Sequence, residues 1–303
     1  MLKLKQNELV EEEAITAICK IFQVNTQDIT DMAVLKKGMT NRSYIFRCSE
    51  KRYIIRISGE GTDKLIDRYQ EKKVYKAIRD MNICDPVVYI NPEKGYKITE
   101  FLENSRVCDP MNRLDVKRSM KCLKKIHDKK LVVGHEFDLF EQIEKYEILR
   151  GNSKSIYEDY EKTKRDVYLL KSFIDDHITE KVLTHIDAVP DNFLFVKDEQ
   201  GKEEIRLIDW EYAGMQDPHV DISMFGIYSL YDREHMDQLI DAYFTEGCSR
   251  ETRIKIYCYI AAGGLLWSNW CEYKEKLGIS FGEYAMRQYQ YAKEYSHIAQ
   301  LEL

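Results

Sequence analysis

The stretch that decides the fold reads Leu183-Thr-His-Ile-Asp-Ala-Val-Pro-Asp-Asn-Phe-Leu-Phe195, and a second stretch, Ile208-Asp-Trp-Glu-Tyr-Ala-Gly214, belongs with it. It sets His185, Asp187 and Asn192 in H-x-D-x-x-x-x-N spacing, and Asp209 follows after one short predicted hairpin. In this arrangement a carboxylate can meet a substrate hydroxyl, while an amide and a second carboxylate hold Mg²⁺ on the phosphates of a nucleotide. Such chemistry also needs residues elsewhere in the chain that hold the nucleotide and the substrate.

Composition places the chain among ordinary globular proteins. Its 303 residues suffice for more than one lobe, and 44% hydrophobic with 32% charged residues are usual for a soluble protein. No run approaches the roughly 20 apolar residues of a membrane span, and the N-terminus lacks the apolar core of a signal peptide. The net charge of −6 gives no global reason to bind nucleic acid. We expect a cytoplasmic protein with no nucleic-acid partner and no membrane insertion.

Eight cysteines are scattered along the chain without any C-x-x-C pair. In a chain of this length, such spacing favours reduced and mostly buried thiols over a disulfide framework or a zinc site. Metal binding is therefore expected from oxygen ligands alone.

The N-terminal third predicts a small antiparallel sheet with one inserted helix. β-rich runs joined by short polar turns are typical of hairpins, and apolar residues at helical spacing mark the helices. The predicted elements are a helix over 8–22, strands over 32–36, 44–48 and 53–58, a helix over 63–80, and strands over 87–90 and 96–102.

The remainder predicts a mainly helical region that carries the motif from His185 to Asn192. Predicted helices cover 114–127, 137–149, 157–177 and most of 219–302, with breaks near 247 and 277–282, and a hairpin joins 193–196 to 205–208. The fold class is therefore α+β. We predict a small N-terminal lobe, residues 1–102, and a larger helical lobe, residues 103–303.

The first predicted hairpin carries the candidate phosphate loop. Gly38-Met-Thr-Asn-Arg-Ser43 lies where kinases fold a loop over the phosphates, although its single glycine also suits an ordinary turn. The chain has no G-x-x-x-x-G-K-[ST] motif, which excludes a Walker-type phosphate-binding loop. The candidate nucleotide ligands of this loop are Gly38, Thr40, Asn41, Arg42 and Ser43.

A kinase-like lobe also needs a cation on the third strand and an acid on the following helix. That strand has no lysine, but Arg56 lies between apolar residues, and Glu71 on the next helix could reach it. Alternation along the strand equally permits Arg56 to be a surface residue. The order of strand and helix favours a pair that positions the phosphates.

The motif residues divide into three roles. Phosphoryl transfer needs positioning and charge neutralisation more than covalent work. Asp187 would accept or orient the proton of the attacking hydroxyl, and His185 would hold the loop. Asn192 and Asp209 would bind Mg²⁺ through oxygen atoms. A turn-capping role remains the ordinary alternative for the acid and the amide.

The tryptophans give the indication about substrate. Trp267 and Trp270 are three residues apart on a predicted helix and share one face. Such a stripe is usual for core packing, and it also suits a wall for a quaternary ammonium, which aromatic faces bind. Further candidates for the wall, and for acids near it, are Tyr212, Tyr228, Phe281, Tyr284, Glu211, Asp217 and Asp221.

Taken together, these stretches resemble the choline/ethanolamine kinase family, and most closely its bacterial LicA-type choline kinases. The resemblance covers roughly residues 30–300. It rests on Gly38-Met-Thr-Asn-Arg-Ser-Tyr, Arg56-Ile-Ser-Gly-Glu-Gly-Thr with Ile66-Asp-Arg, His185-Ile-Asp-Ala-Val-Pro-Asp-Asn-Phe, Ile208-Asp-Trp-Glu-Tyr-Ala-Gly-Met-Gln-Asp-Pro, Trp267-Ser-Asn-Trp and Phe281-Gly-Glu-Tyr.

The resemblance implies a protein-kinase-like, two-lobed fold and ATP- and Mg²⁺-dependent phosphorylation of choline. Arginine at the position of Arg56 is usual in that family. By motif match, Asp187 becomes the base, and Asn192 and Asp209 become the metal ligands. The choline pocket would take Tyr212, Trp267, Trp270, Phe281 and Tyr284, with Glu211 and Tyr228 beside it.

Two departures from the family pattern are visible. Ala188 stands where leucine commonly follows the aspartate, which changes packing and leaves the catalytic groups intact. Tyr228 stands where some relatives place an acid, which leaves open the acid that neutralises the ammonium.

We therefore expect a choline kinase with ATP between the lobes and adenine against a hinge formed by Glu100, Phe101 and Leu102. Ethanolamine kinases, aminoglycoside or other small-alcohol phosphotransferases, and a nucleotide-binding pseudokinase are the alternatives. The ranking of choline over ethanolamine and the oligomeric state stay open.

Overall fold

The structure is a computed structural model, and it describes residues 2–37, 41–59, 61–151 and 154–303. The chain forms two compact units. The first unit consists of residues 1–105 and 196–211, and the second of residues 106–195 and 212–303. The division expected at 102/103 follows chain order alone, whereas residues 196–211 rejoin the first unit.

The first unit contains the expected five-stranded antiparallel sheet, with one helix inserted after the third strand. The strand order is β1-β2-β3-β5-β4. Its elements are α1 (Leu2–Phe22), β1 (Ile29–Lys37), β2 (Asn41–Cys48), β3 (Lys51–Ser58), α2 (Arg68–Ile78), β4 (Val87–Asn91) and β5 (Tyr96–Glu100).

Alternation along the strands builds the core of this unit. Phe46, Ile55 and Ile98 lie on adjacent strands and are fully buried, and Ala14 and Ile18 of α1 pack against the same cluster. Because side chains alternate across a strand, the apolar set turns toward α1.

The helix α2 begins later than the spacing predicted, at Arg68 instead of residue 63. The Asp67 carboxylate accepts hydrogen bonds from the backbone N–H groups of Tyr69 and Gln70, which fixes the start of the helix. Residues 62–64 form a separate 3₁₀ turn. The cap decides the boundary because it satisfies two of the helix's four unpaired donors.

The second unit is mainly helical, as predicted. Its helices are α3 (Arg113–His127), α4 (Leu139–Arg150), α5 (Tyr160–Tyr168), α6 (Lys171–His177), α7 (His219–Tyr228), α8 (Arg233–Tyr243), α9 (Arg250–Lys276) and α10 (Glu283–Glu302). The shorter strands of the chain are β6 (Ser105–Val107), β7 (Val182–Thr184), β8 (Phe193–Lys197), β9 (Glu203–Leu207) and β10 (Gly214–Gln216). The predicted hairpin appears as β8 and β9.

Two helical predictions were too long. The single helix expected over 157–177 is two helices, because the chain between them closes in a short turn in which the Leu170 N–H donates to the Val167 carbonyl. A break near residue 230 was missed. There Leu230 adopts a left-handed φ of 57°, and Asp232 then caps α8.

Pairing of β7 with β10 places the two motif segments side by side. Thr184 lies opposite Gly214 in an antiparallel register, and Val182 lies opposite Gln216. The loop that carries Asp187 and Asn192 follows β7 after Thr184. In the part of the chain that the structure describes, no helix is long and apolar enough to cross a membrane.

Candidate active site

The loop that follows β7 holds its two motif side chains together. The Asn192 amide nitrogen donates to the Asp187 carbonyl at 2.9 Å and to the Asp187 Oδ2 at 3.3 Å. Asn192 closes a 3₁₀ turn, Pro190–Asn192, and its own N–H donates to the Val189 carbonyl. Because the amide nitrogen is engaged with Asp187, the amide oxygen of Asn192 is the atom that suits a hard cation.

A buried carboxylate holds this loop by accepting hydrogen bonds from the backbone of the loop. Asp221 of α7 accepts from the N–H of His185 at 2.9 Å and from the N–H of Ile186 at 2.7 Å. Ile186 has φ 69°, a rare conformation for a β-branched residue. The hydrogen bonds from its own N–H and from that of His185 hold it in this conformation. The Asp221 carboxylate in turn contacts His127 Nε2 at 3.0 Å, and His127 Nδ1 lies 2.8 Å from the Tyr243 hydroxyl.

This interaction could not be predicted from the sequence. Asp221 was proposed as an acid near the substrate, and His127 was not singled out at all. The two bonds to the loop span 35 and 36 residues, and the bond from Asp221 to His127 spans 94. No local spacing could have found these partners. His185 is itself buried, and its backbone N–H is the group that binds Asp221.

In the first unit, five charged side chains form what we call the ion cluster: Arg56, Arg68, Glu71, Asp209 and Glu211. Arg56 Nη2 donates to both carboxylate oxygens of Glu71 at 2.6 Å. Its Nη1 donates to Asp209 Oδ1 at 2.9 Å and to Glu211 Oε2 at 3.0 Å. The predicted pairing of Arg56 with Glu71 is therefore present in the structure, and Arg56 is buried instead of lying on the surface.

Arg68 makes further hydrogen bonds within the ion cluster, and the neighbouring Asn41 bonds to two of its members. Arg68 Nη1 donates to Glu71 at 2.9 Å and to Glu211 at 2.8 Å, and Arg68 Nη2 donates to the Asn41 side-chain oxygen at 2.8 Å. The Asn41 amide donates to Glu211 at 2.8 Å. Lys97 of β5 approaches Glu71 at 3.5 Å. Each buried charge thus has a partner of opposite sign, which its burial requires.

The two buried glutamates experience different fields. Burial alone would raise the pKa of Glu71, but Arg56, Lys97 and Arg68 hold it well below its usual range. The pKa of Glu211 is raised instead, because its burial and the neighbouring Asp209 carboxylate outweigh the two arginines. The Arg56 guanidinium is kept charged, since Glu71, Glu211 and Asp209 overcome the cost of its burial and raise its pKa.

Asp209 is the partly exposed member of the cluster. Its side chain is 34% exposed, compared with 3% or less for the two glutamates, and its backbone has φ 64°. Carboxylate oxygens of Glu71, Asp209 and Glu211 lie within 4.8 Å of one another. The oxygens of both glutamates accept from Arg56, Arg68 or Asn41, so the more exposed Asp209 is the member suited to offer an oxygen to a cation.

Glu211 was predicted to contact the substrate, and in the structure its carboxylate already has three hydrogen-bond donors. Its carboxylate accepts from Arg56, Arg68 and Asn41, three donors of the first unit. The physical reason is that Arg56 and Arg68 are both buried and need more than one counter-charge. Asp217, proposed alongside it, pairs instead with the buried Lys255 at 2.6 Å.

The remaining nucleotide candidates are distributed along the first sheet. Gly38 and Thr40 lie outside the described residues. Arg42 and Ser43 follow Asn41 on β2, where Ser43 lies opposite Arg56. The three hinge candidates continue from β5: the Glu100 N–H donates to the Pro86 carbonyl, the Phe101 N–H donates to the Arg52 carbonyl, and Leu102 accepts from the Ser105 hydroxyl.

In the second unit, six aromatic side chains form a continuous chain of ring contacts, which we call the aromatic series. Neighbouring ring centroids lie 5.0–6.4 Å apart, within the range of favourable aromatic pairs. The three ring pairs that involve a tryptophan are Tyr212–Trp267 at 5.7 Å, Trp267–Trp270 at 5.8 Å and Trp270–Phe281 at 5.0 Å. The order of the series is Tyr212, Trp267, Trp270, Phe281, Tyr284, Tyr228. The structure thus brings together every aromatic residue predicted for the wall.

The polar groups of the aromatic series have different surroundings at its end and in its middle. At one end, the Tyr228 hydroxyl lies 3.4 Å from Asp191 Oδ2, on the loop that carries Asp187. In the middle, the Nε1 of Trp270 is buried and has no hydrogen-bond partner among the described residues. The third tryptophan, Trp210, is fully buried and donates to the Leu207 carbonyl, so it is a core residue of the first unit.

The fold and these side chains define a kinase-like phosphotransferase. The profile of the choline/ethanolamine kinase family matches residues 32–238, about two thirds of the chain. The chain therefore belongs to the choline/ethanolamine kinase family.

Individual relatives agree with this assignment. The chain is 26% identical to protein LicA of Haemophilus influenzae over 268 residues, which cover 82% of this chain and 75% of the relative. It superposes on the choline kinase LicA of Streptococcus pneumoniae with a TM-score of 0.81 and 29% identity, covering 95% of this chain and 99% of that one. A structure of LicA in complex with AMP gives a TM-score of 0.78 and 30% identity, with 92% and 96% covered.

Proposed function

We propose that this protein is a choline kinase, which transfers the γ-phosphate of ATP to the hydroxyl of choline and releases phosphocholine and ADP. The observation that carries the proposal is the aromatic series, because it ends on the same loop as Asp187. A wall of aromatic faces suits a quaternary ammonium, and an acid at its end suits the hydroxyl of the same small molecule.

Asp187 is proposed as the group that orients the acceptor hydroxyl and takes its proton. Its backbone carbonyl and its carboxylate are both held by Asn192, and the loop beneath it is held by Asp221. This arrangement fixes the carboxylate before the substrate binds. Such positioning is the main protein contribution to phosphoryl transfer, which needs little covalent chemistry from the enzyme.

Asn192 and Asp209 are proposed as ligands of Mg²⁺. Both offer oxygen atoms, the kind of ligand that this ion prefers. The amide oxygen of Asn192 remains after its nitrogen has bound Asp187, and Asp209 is the partly exposed acid of the ion cluster. When bound, Mg²⁺ would neutralise charge that develops on the phosphates.

Arg56 is proposed to contact the phosphates of ATP, with Glu71 holding its guanidinium in place. The double hydrogen bond to Glu71 fixes the planar group in one orientation. Asn41, Arg42 and Ser43, which follow the candidate phosphate loop, and the segment Glu100–Leu102 remain the proposed contacts to ATP. Similarity to a structure with bound AMP supports a nucleotide as the donor.

Ethanolamine is the alternative acceptor. The family includes kinases of both alcohols, and the catalytic side chains do not distinguish them. A primary ammonium can donate hydrogen bonds, whereas a quaternary ammonium interacts with ring faces and with charge. The six rings of the aromatic series favour the methylated substrate.

An ATP-consumption assay with choline, ethanolamine and a panel of aminoglycosides tests the proposal. We expect ADP release with choline at the highest kcat/KM, a lower value with ethanolamine, and background with aminoglycosides. A higher kcat/KM for ethanolamine would overturn the choice of choline, and turnover of aminoglycosides alone would overturn the substrate class.

A thermal-shift measurement tests nucleotide binding without turnover. Mg²⁺ with ATP at about 100 times its Kd should stabilise the folded chain by about 2.7 kcal/mol and raise Tm. A chain that neither shifts with ATP and Mg²⁺ nor consumes ATP would be a non-catalytic member of the family.

A further inference from the structure

We propose that the carboxylate of Asp191, held by the Tyr228 hydroxyl, balances the positive charge of the substrate. This inference rests on the proposed function, since it concerns the ammonium group of the same alcohol. The sequence left open which acid does so, and no motif role fell on Asp191.

The position of Asp191 places it beside the reacting end of the substrate. It lies in the 3₁₀ turn Pro190–Asn192, directly before Asn192 and four residues after Asp187. Asp187 is the proposed partner of the acceptor hydroxyl. In choline two carbon atoms separate hydroxyl and ammonium, so an ammonium whose hydroxyl meets Asp187 must lie close to this same loop.

Tyr228 connects Asp191 to the aromatic series. Its hydroxyl lies 3.4 Å from Asp191 Oδ2, and its ring lies 5.9 Å from that of Tyr284. Burial, then the carboxylates of Asp191 and Asp187, raise the pKa of Tyr228 above its usual range. The phenol therefore stays neutral and can donate to Asp191, and both carboxylates lie near enough to affect it.

Three other acids of the second unit hold buried structural partners. Asp221 receives the two N–H groups of the catalytic loop and contacts His127, and Asp217 pairs with Lys255. Glu272 pairs with Arg150 at 3.1 Å. None of these three can balance a substrate cation without losing a buried partner, which is costly.

The contribution expected from Asp191 is one of charge. A quaternary ammonium has no N–H, so it cannot donate a hydrogen bond to a carboxylate. Asparagine has nearly the same shape as aspartate and can still accept from Tyr228. Asp191→Asn therefore removes the charge while keeping the loop, and Asp191→Glu keeps the charge.

The experiment compares choline with the neutral alcohol in which carbon replaces the ammonium nitrogen. For each variant we measure kcat/KM for both alcohols and take their ratio, which cancels effects on the loop. Asp191→Asn should lower the ratio about tenfold, mainly by raising KM for choline, a change equivalent to about 1.4 kcal/mol. Asp191→Glu should largely restore the ratio.

Tyr228→Phe tests the positioning role of the phenol. It should lower the same ratio by a smaller factor, and adding it to Asp191→Asn should lower the ratio no further, because the two groups act as one unit. Glu161→Gln, which removes one exposed negative charge from the start of α5, is the matched control and should leave the ratio unchanged.

Binding of choline measured by calorimetry gives a readout that does not depend on turnover. A Kd raised about tenfold in Asp191→Asn supports the inference. An unchanged ratio and Kd, or equal losses for both alcohols, would overturn it while leaving the proposed function in place. A wild-type chain that phosphorylates neither alcohol and does not bind choline would overturn the proposed function itself.

Discussion

The side chains around Arg56 in the first unit are charged, whereas the six side chains of the aromatic series in the second unit are neutral rings. In the ion cluster, every buried charge is matched by hydrogen bonds of 2.6–3.0 Å to groups of opposite sign. In the aromatic series, successive rings meet edge to face or tilted.

The difference fits the two ligands of the proposed reaction. Fixed charges suit phosphates, whose charge is large and changes during the reaction. Ring faces suit an organic cation, whose charge is diffuse and constant. Mutations in the two regions should therefore affect different kinetic constants, and that separation can be tested.

The largest effect is expected at Asp187, the proposed base, which lies on the loop that the end of the aromatic series contacts. Asp187→Ala should lower kcat by about 10²–10⁴-fold, the usual contribution of a positioned general base. Tm should change little, and Glu161→Gln should keep full activity. A variant with near-normal kcat would show that the acid at the end of the series is not catalytic.

Removal of Arg56 should be the next largest change. Arg56→Ala leaves Glu71 and Glu211 buried with fewer counter-charges, which should cost about 3–5 kcal/mol of unfolding free energy and raise the KM for ATP. Arg52→Ala, on the same strand but with an exposed partner in Glu103, should cost far less, because exposed ion pairs contribute little to stability. Denaturant melts of the two variants measure the difference. Equal losses would show that the ion cluster gains nothing from burial.

His219 is an ionisable side chain of the second unit that its surroundings should keep neutral. Burial, opposed only in part by Asp217, lowers the pKa of His219 from 6.5 to about 4. As pH falls from 6.5 to 4, the unfolded chain takes up a proton that the folded chain refuses, so stability should drop by roughly 3 kcal/mol in total.

His219→Gln should flatten this part of the pH profile, and His297→Gln, at an exposed histidine, should leave it unchanged. Stability measured by denaturant at several pH values decides the matter. An identical slope in His219→Gln and in the wild type would contradict a buried neutral His219.

The smallest effect is expected at Trp270. Trp270→Ala should raise the KM for choline about tenfold through loss of a ring face, while the KM for ATP stays within error. Trp270→Phe, which retains a face, should recover most of the affinity. An unchanged KM for choline in the alanine variant would make Trp270 a core residue, and a raised KM for ATP would break the separation between the two regions.

Local patterns predicted those parts of the fold that form within a short stretch of chain. The strands of the first sheet follow from alternation, as in Phe46 and Ile55, and the hairpin β8–β9 follows from its turn. The start of α2 was misplaced because the Asp67 cap outweighs helical spacing. The break at Leu230 depends on a single left-handed residue that is not glycine, which spacing cannot reveal.

The site was predictable only where a motif names its residues. Arg56 and Glu71 were found because strand and helix follow each other, and they do pair. Glu211 was assigned to the substrate from its proximity in sequence to the aromatic residues, yet its partners Arg56 and Arg68 lie 155 and 143 positions away. Asp221 was likewise considered only for its proximity in sequence, and its partners His185, Ile186 and His127 lie 36, 35 and 94 positions away. Long-range pairing of buried charges leaves no periodic signal.

The return of residues 196–211 to the first unit has a consequence for synthesis of the chain. Arg56 and Arg68 emerge from the ribosome long before Glu211, and at about 5–20 residues per second the interval lasts on the order of ten seconds. During that time the two arginines lack one of the acids that later neutralise them. The sheet can form early from its own hairpins, but the nascent N-terminal segment reaches its final burial of charge only after the hairpin β8–β9 has been made.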